Sequence, residues 1–219
     1  MNKLLTSMFA LAVASVTAIS VQAQEVKGDA KAAEQKIAMC IGCHGIKGYQ
    51  ASFPEVYRVP MISGQNAKYI VSALNAYKKG ERKHPTMRGI ADSLSEQDMA
   101  DLGAYYEQHG NIQPVKAAPK AADAKVAGLL QKGACISCHG DNFSKPIDPS
   151  YPKLAGQHKD FLFVALKSYK SENQSTWGRN NGVMGGIAKQ FTNAELKAMS
   201  AYIGSLEGEM KVLPQSKFR

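Results

Sequence analysis

Two short stretches could do chemistry, and they are nearly copies: "CIGCHG" at Cys40 to Gly45 and "CISCHG" at Cys135 to Gly140. Cysteines at i and i+3 share one face of a helix, and in each copy a histidine follows at once. Three chemistries compete for such a cluster. Zinc could take two thiol pairs, but a four-thiolate site assembled from two separate halves of an exported chain is disfavoured. A redox dithiol of the thioredoxin kind needs a strand–helix–strand setting. The added histidine is instead the signature of c-type haem attachment. The paired thiols can form thioethers with the two haem vinyl groups, and His44 or His139 then lies under the iron as its proximal ligand.

The compartment decides what free thiols would do. Residues 1–23 carry one charge, Lys3, then the apolar run "LLTSMFALAVASVTAISV", and end at Val21-Gln22-Ala23. This reads as a secretory signal peptide cleaved after Ala23, with a retained anchor helix as the alternative. The expected location is the periplasm, where unclaimed cysteine pairs would close into disulfides. The formal charge of +9 is lopsided: residues 24–113 hold 11 basic and 10 acidic side chains, and residues 114–219 hold 15 and 8. Export and the lack of interleaved basic and aromatic residues argue against nucleic acid as a partner.

The elements that must position the cysteines also come in two copies. "PMISGQNAKYIVSALNAY" (Pro60–Tyr77) matches "PKLAGQHKDFLFVALKSY" (Pro152–Tyr169), and "MRGIADSLSEQDMADLGAYY" (Met87–Tyr106) matches "MGGIAKQFTNAELKAMSAYI" (Met184–Ile203). Three ordered anchors mean two tandem domains, residues 24–113 and 125–219, joined by an Ala-, Pro- and Lys-rich linker over 114–124. The expected class is all-α. One helix precedes each cysteine pair (Ala33 and Ile37; Val126, Leu129 and Leu130), and a second follows each Gly-Gln (Ile70 and Leu74; Leu162 and Leu166). A third starts at a capping box, Ser95-x-x-Asp98 or Thr192-x-x-Glu195, and carries Met99, Leu102 and Tyr105 or Leu196, Met199 and Tyr202. Domains of about 80–90 residues have marginal cores, and a buried haem would supply the missing apolar surface.

The iron's sixth position separates electron transfer from chemistry on a bound ligand. Its candidates are Met61, Met87, Met99, His84 and His109 in the first copy, and Met184, Met199, Met210 and His158 in the second. Only Met87 and Met184 align with each other, inside a shared "M-x-G-I-A" string, and they are the expected axial ligands. They are expected in loops just before a helix N-cap, next to glycines that let the backbone approach a flat cofactor. Met99 and Met199 read as helix-core side chains. His84 reads as an exposed loop histidine, with bis-histidine ligation as its alternative, and His109 and His158 read as surface positions. Trp177 could cover a haem or simply pack.

The order C-x-x-C-H, then P-x-x-x-G-Q, then M-x-G-I-A before a capped helix, twice over, resembles the dihaem class I cytochromes c of the cytochrome c4 family. The resemblance spans essentially all of the chain after Ala23. It implies two covalently attached haem c groups with His/Met axial ligation. Cys40, Cys43, His44 and Met87 would serve the first, and Cys135, Cys138, His139 and Met184 the second. It also implies that Pro60 and Pro152 offer their carbonyls to the other ring nitrogen of the proximal histidines. The activity implied is one-electron shuttling in a respiratory chain, between a quinol-oxidising complex and a terminal oxidase or other reductase, with loose membrane association. On that reading the chain is a carrier, not an enzyme. The alternatives are an electron-accepting dihaem subunit of a sulfur-oxidising or other periplasmic dehydrogenase, and a dihaem peroxidase. Two aligned methionines argue against the peroxidase, which needs an open sixth site.

Overall fold

The computed structural model describes residues 26–171 and 174–214; the export segment over residues 1–23 lies outside them. Each half builds its own core. In the first, α1 (Ala30–Ala33) and α2 (Ala38–His44) lead through β1 (Gln50–Ala51) and β2 (Tyr57–Arg58) to α3 (Ala67–Lys78). Then come β3 (Arg82–Lys83), α4 (Pro85–Asp92) and α5 (Glu96–Gln108). The second half runs α6 (Ala124–Lys132), α7 (Cys135–His139), α8 (Lys159–Ser168), β4 (Gly178–Arg179), α9 (Gly182–Ala188) and α10 (Asn193–Ser205).

The helical stripes bury as their spacing dictates. Ala33, Ile37, Ile41, Ile70, Leu74, Met99 and Leu102 join one apolar cluster. Val126, Leu129, Leu130, Leu162, Leu196, Met199 and Ile203 join another, and the two share no residue. Two cores with separate membership are two domains. On the third helices the more buried aromatic and aliphatic partners are Tyr106 and Ile203, one residue beyond the expected Tyr105 and Tyr202. Asp123 caps α6 by accepting from the Val126 N–H at 2.9 Å, so the helix begins on Ala124, at the end of the expected linker.

Both capping boxes form. The Ser95 and Thr192 hydroxyls accept from the Asp98 and Glu195 N–H groups, and each carboxylate reaches back to its cap residue. Each strand is two residues long, too short to show alternation in the sequence. β1 pairs with β2 within the first domain, but β3 pairs with β4 across the two domains, Arg82 opposite Arg179. The seam is further held by Asp160, whose carboxylate accepts from the Arg58 N–H at 3.1 Å and from its guanidinium at 2.9 Å.

Removing the Ser95 hydroxyl by Ser95→Ala should cost about 1 kcal/mol of stability, read by denaturant or thermal unfolding. The hydrogen bond from Lys36 and those within the capping box hold the Asp98 carboxyl down at about 2, against an ordinary 3.8. A depressed folded-state value means this contribution is full above about pH 4 and is lost as the pH falls toward 2. The Ser95→Ala penalty should therefore shrink over that window.

Candidate haem sites at the domain seam

The α2 segment ends on His44, with Ile41 turned into the core and both thiols half-buried on the opposite side. In the second domain a left-handed Ala134 (φ 48°) breaks the chain between α6 and α7, which then carries Cys135, Cys138 and His139. All eight residues expected to bind haem, with Pro60 and Pro152, line one continuous cavity of about 1000 Å³ that spans the two domains. None of the four cysteines is in a disulfide. Burial pushes the Cys40 thiol up to about 11, with the Tyr106 hydroxyl beside it acting weakly in the other direction, and burial likewise raises Cys135. A raised thiol value disfavours the thiolate that fast dithiol exchange needs. Among the described residues, no three His, Cys, Asp or Glu side chains converge to hold a metal ion by themselves.

Each histidine of the cysteine clusters is anchored by one ring nitrogen. His44 Nδ1 lies 2.7 Å from the Pro60 carbonyl, and His139 Nδ1 lies 3.3 Å from that of Pro152. Because a carbonyl only accepts, Nδ1 must carry the proton, which leaves Nε2 free as a metal ligand. Burial lowers the affinity of both rings for a second proton, outweighing the opposing effect of the proline carbonyls.

The two methionines depart from expectation in their setting. Met87 and Met184 are not in loops before an N-cap; each is the third residue of a short helix, α4 or α9. The reason is local. His84 and Asn181 act as N-caps, accepting from the Met87 N–H at 3.4 Å and the Met184 N–H at 2.9 Å, and Pro85 presets the first helical residue of α4. His84 is thus a half-buried capping residue on the cavity wall, with the role that Asn181 has in the other copy.

The remaining candidates fall elsewhere. Met99 and Met199 are buried core residues. His109 Nδ1 meets the Ser63 hydroxyl at 2.9 Å while its ring stacks on Tyr105, and His158 starts α8. Trp177 lies under the Lys167 ammonium. Met61 and Met210 are buried at the seam, in contact with glutamine side chains.

Sequence reasoning did not single out Arg82 and Arg179. They face each other on β3 and β4 in the cavity wall and donate to the Tyr69 and Tyr169 hydroxyls at 3.2 and 3.4 Å. Burial opposes ionisation of Tyr69, but the two guanidinium groups outweigh it and lower the phenol's pKa. The Arg82 Nε is buried and has no hydrogen-bond partner among the described residues. An apolar cavity with thiols, neutral imidazoles and an unsatisfied guanidinium fits haem: flat and apolar, with carboxylates for the arginines.

The cytochrome c family model matches residues 30–109 and 124–207. The chain is 31% identical to cytochrome c4 of Stutzerimonas stutzeri, over 94% of this chain and all of that one. The chain belongs to the cytochrome c4 family. It therefore has two cytochrome c domains, carries two covalently attached haem c groups and works in electron transport. The solved structure of reduced recombinant cytochrome c4 from Pseudomonas stutzeri is similar at a TM-score of 0.62 and 28% identity, covering 82% of this chain and all of that one. A thiosulfate dehydrogenase electron acceptor of Stutzerimonas stutzeri is 28% identical over 82% of this chain and 83% of its own length.

The capping role of His84 is testable. His84→Asn copies the cap of the second domain and should leave the visible spectrum of the first haem unchanged. Loss of a ligand band in that variant would show that His84 binds iron.

Proposed function

We propose that the mature chain, residues 24–219 after cleavage at Ala23, is a periplasmic shuttle with domains over 24–113 and 125–219. It would carry single electrons from a quinol-oxidising cytochrome complex to a terminal oxidase or other reductase, without converting a substrate itself. Cys40 and Cys43 would hold the first haem through thioethers, with His44 and Met87 as its iron ligands. Cys135, Cys138, His139 and Met184 serve the second. The observation that carries this reading is that both sets line a single cavity, so electrons could pass between the centres inside one molecule. The bound haem supplies a one-electron iron couple, and thioether ligation raises its potential.

The protein's part is to hold the ligands still. Pro60 and Pro152 orient the imidazoles, and His84 and Asn181 cap the helices that carry the methionines. Arg82 and Arg179 would receive the haem carboxylates. Electrons can enter where exposed apolar side chains rim the cavity, at Met39 and Phe53 in the first domain and Tyr151 and Val183 in the second. No helix among the described residues is long and apolar enough to cross a membrane. Any membrane association is proposed to be peripheral.

A second reading has its own support in the relative named as a thiosulfate dehydrogenase electron acceptor. On that reading the donor is a sulfur-oxidising dehydrogenase, and the same two haems accept its electrons. Co-purification with such an enzyme, and reduction of the chain when thiosulfate is added to the pair, would favour it over the respiratory donor.

Spectroscopic redox titration of Met87→Ala and Met184→Ala should show one haem altered in each variant, with a lowered potential. If neither changes, the distal assignment is wrong. The basic second domain should steer an acidic partner, even after haem carboxylates offset part of its charge. Electron-transfer rates should then fall as salt rises, and a rate independent of salt would reject that docking face.

A further inference from the structure

The Gly-Gln of each domain reaches into the other. Gln157 Oε1 accepts from the Met61 N–H at 3.0 Å, and its Nε2 donates to the Met61 carbonyl at 2.9 Å. Gln65 does the same to Lys153, with Oε1 accepting from the N–H at 2.9 Å and Nε2 donating to the carbonyl at 3.0 Å. Both side chains are buried, at 3% and 4% exposure, so bulk water could not replace these bonds.

Met61 and Lys153 directly follow the prolines that hold the histidines. The Pro60 carbonyl and the Met61 N–H belong to one planar peptide unit, as do the Pro152 carbonyl and the Lys153 N–H. Each unit thus accepts from a proximal histidine at one end and donates to a glutamine of the opposite domain at the other. Hydrogen bonds in series polarise one another, so an acceptor on the N–H makes the carbonyl a better acceptor for the imidazole proton. The relays are crossed: Gln157 acts on His44, and Gln65 acts on His139.

One residue sits between them. Met210 is 2% exposed, and its sulfur accepts from Gln65 Nε2 at 3.2 Å and from Gln157 Nε2 at 3.6 Å. The tail that carries it is tied across the seam. The Lys211 N–H donates to the Ser63 carbonyl at 3.0 Å, and Glu209 pairs with Lys153 Nζ at 2.8 Å while accepting from the Val115 N–H. The glycines before the two glutamines make room for it. Gly64 (φ +87°) lies so close to the Glu209 carbonyl that a Cβ would collide, and Gly156 (φ +73°) lies against Leu206 and Gly208.

We propose that Gln65, Gln157 and Met210 are positioning residues that set the electron richness of the proximal histidine in the opposite domain, so that each domain tunes its neighbour's haem. This rests on His44 and His139 being the proximal iron ligands. An imidazole with a stronger acceptor on Nδ1 is a more basic ligand and favours the oxidised iron. Losing the glutamine acceptor therefore raises the potential of the haem across the seam. The response is larger in the first domain, where the histidine–proline bond is shorter.

The test uses the full holoprotein carrying Gln157→Met or Gln65→Met, which preserve side-chain length and remove both backbone bonds. The readouts are the NMR shift and exchange rate of each histidine's Nδ1 proton, together with the two midpoint potentials. Gln157→Met should move the His44 proton and raise the first haem's potential more than the second's, and Gln65→Met should do the reverse. A merely structural role would loosen the seam without this crossed selectivity. Equal shifts at both haems, a larger shift in the variant's own domain, or no shift in a folded holoprotein would overturn the relay. Met210→Leu, nearly isosteric, covers the case in which a glutamine variant fails to fold. It should raise both potentials by a smaller amount, and unchanged potentials there would reject the proposal. If His44→Ala and His139→Ala leave the haem spectra untouched, the ligation itself is wrong. Intact dependence on those histidines with unresponsive glutamines would remove only the relay.

Discussion

In each domain one backbone carbonyl holds a ring nitrogen of the histidine beside the cysteine pair, which is what a metal-ligating histidine requires. The bonds from His44 to Pro60 and from His139 to Pro152 settle the tautomer, the ring plane and the face offered to the cavity. Much of the surrounding structure serves to keep those two carbonyls in place. The loop that presents each proline ends in a turn with a positive-φ glycine, Gly64 or Gly156, which passes the chain on to α3 or α8. The peptide carrying each carbonyl lies at the seam, buried after Pro60 and half-buried after Pro152, and the opposite domain provides a partner for its N–H.

That arrangement makes the two domains partners rather than beads on a string. Each has its own apolar cluster, yet each is small enough that a core without its cofactor would be thin. The seam adds what neither half has: a cross-domain strand pair, a carboxylate clamp between Asp160 and Arg58, and a C-terminal tail pinned by Glu209 and Met210. Because one tail serves two nearly symmetric halves, the pseudo-symmetry is broken at Met210, whose sulfur is closer to Gln65 than to Gln157. Two chemically similar histidine–proline peptides are thereby placed in unequal surroundings.

The methionine side shows how two different residues can do one job. His84 and Asn181 differ in size and shape, yet both cap a short helix whose third residue, a methionine, lines the cavity. A capping role asks only for an acceptor at the right distance from one N–H, so the domains were free to diverge there. Arg82 and Arg179, by contrast, are alike in both copies and face one another. Two half-buried cations in register suit a site that anions complete.

What could be read from the sequence was whatever is local or repeated. The C-x-x-C-H clusters act within one helical turn, the capping boxes within three residues, and the core stripes at helical spacing, so each shows in a short window of sequence. Alignment of the two copies then singled out Met87 and Met184 from several rivals and set the prolines in the same order in each. Tertiary structure decided the rest. Gln65 meets Lys153 from 88 residues away, Gln157 meets Met61 from 96, and Met210 meets Gln65 from 145. Such contacts have no periodicity or spacing to reveal them, since a buried amide takes whatever backbone the fold brings within 3 Å. His84 looked like a surface histidine because a cap is defined by the direction of one N–H, which depends on how α4 is laid against the cavity. The pairing of Arg82 with Arg179 was hidden for the same reason: strands of two residues carry no pattern, and only the docking of two domains sets them side by side.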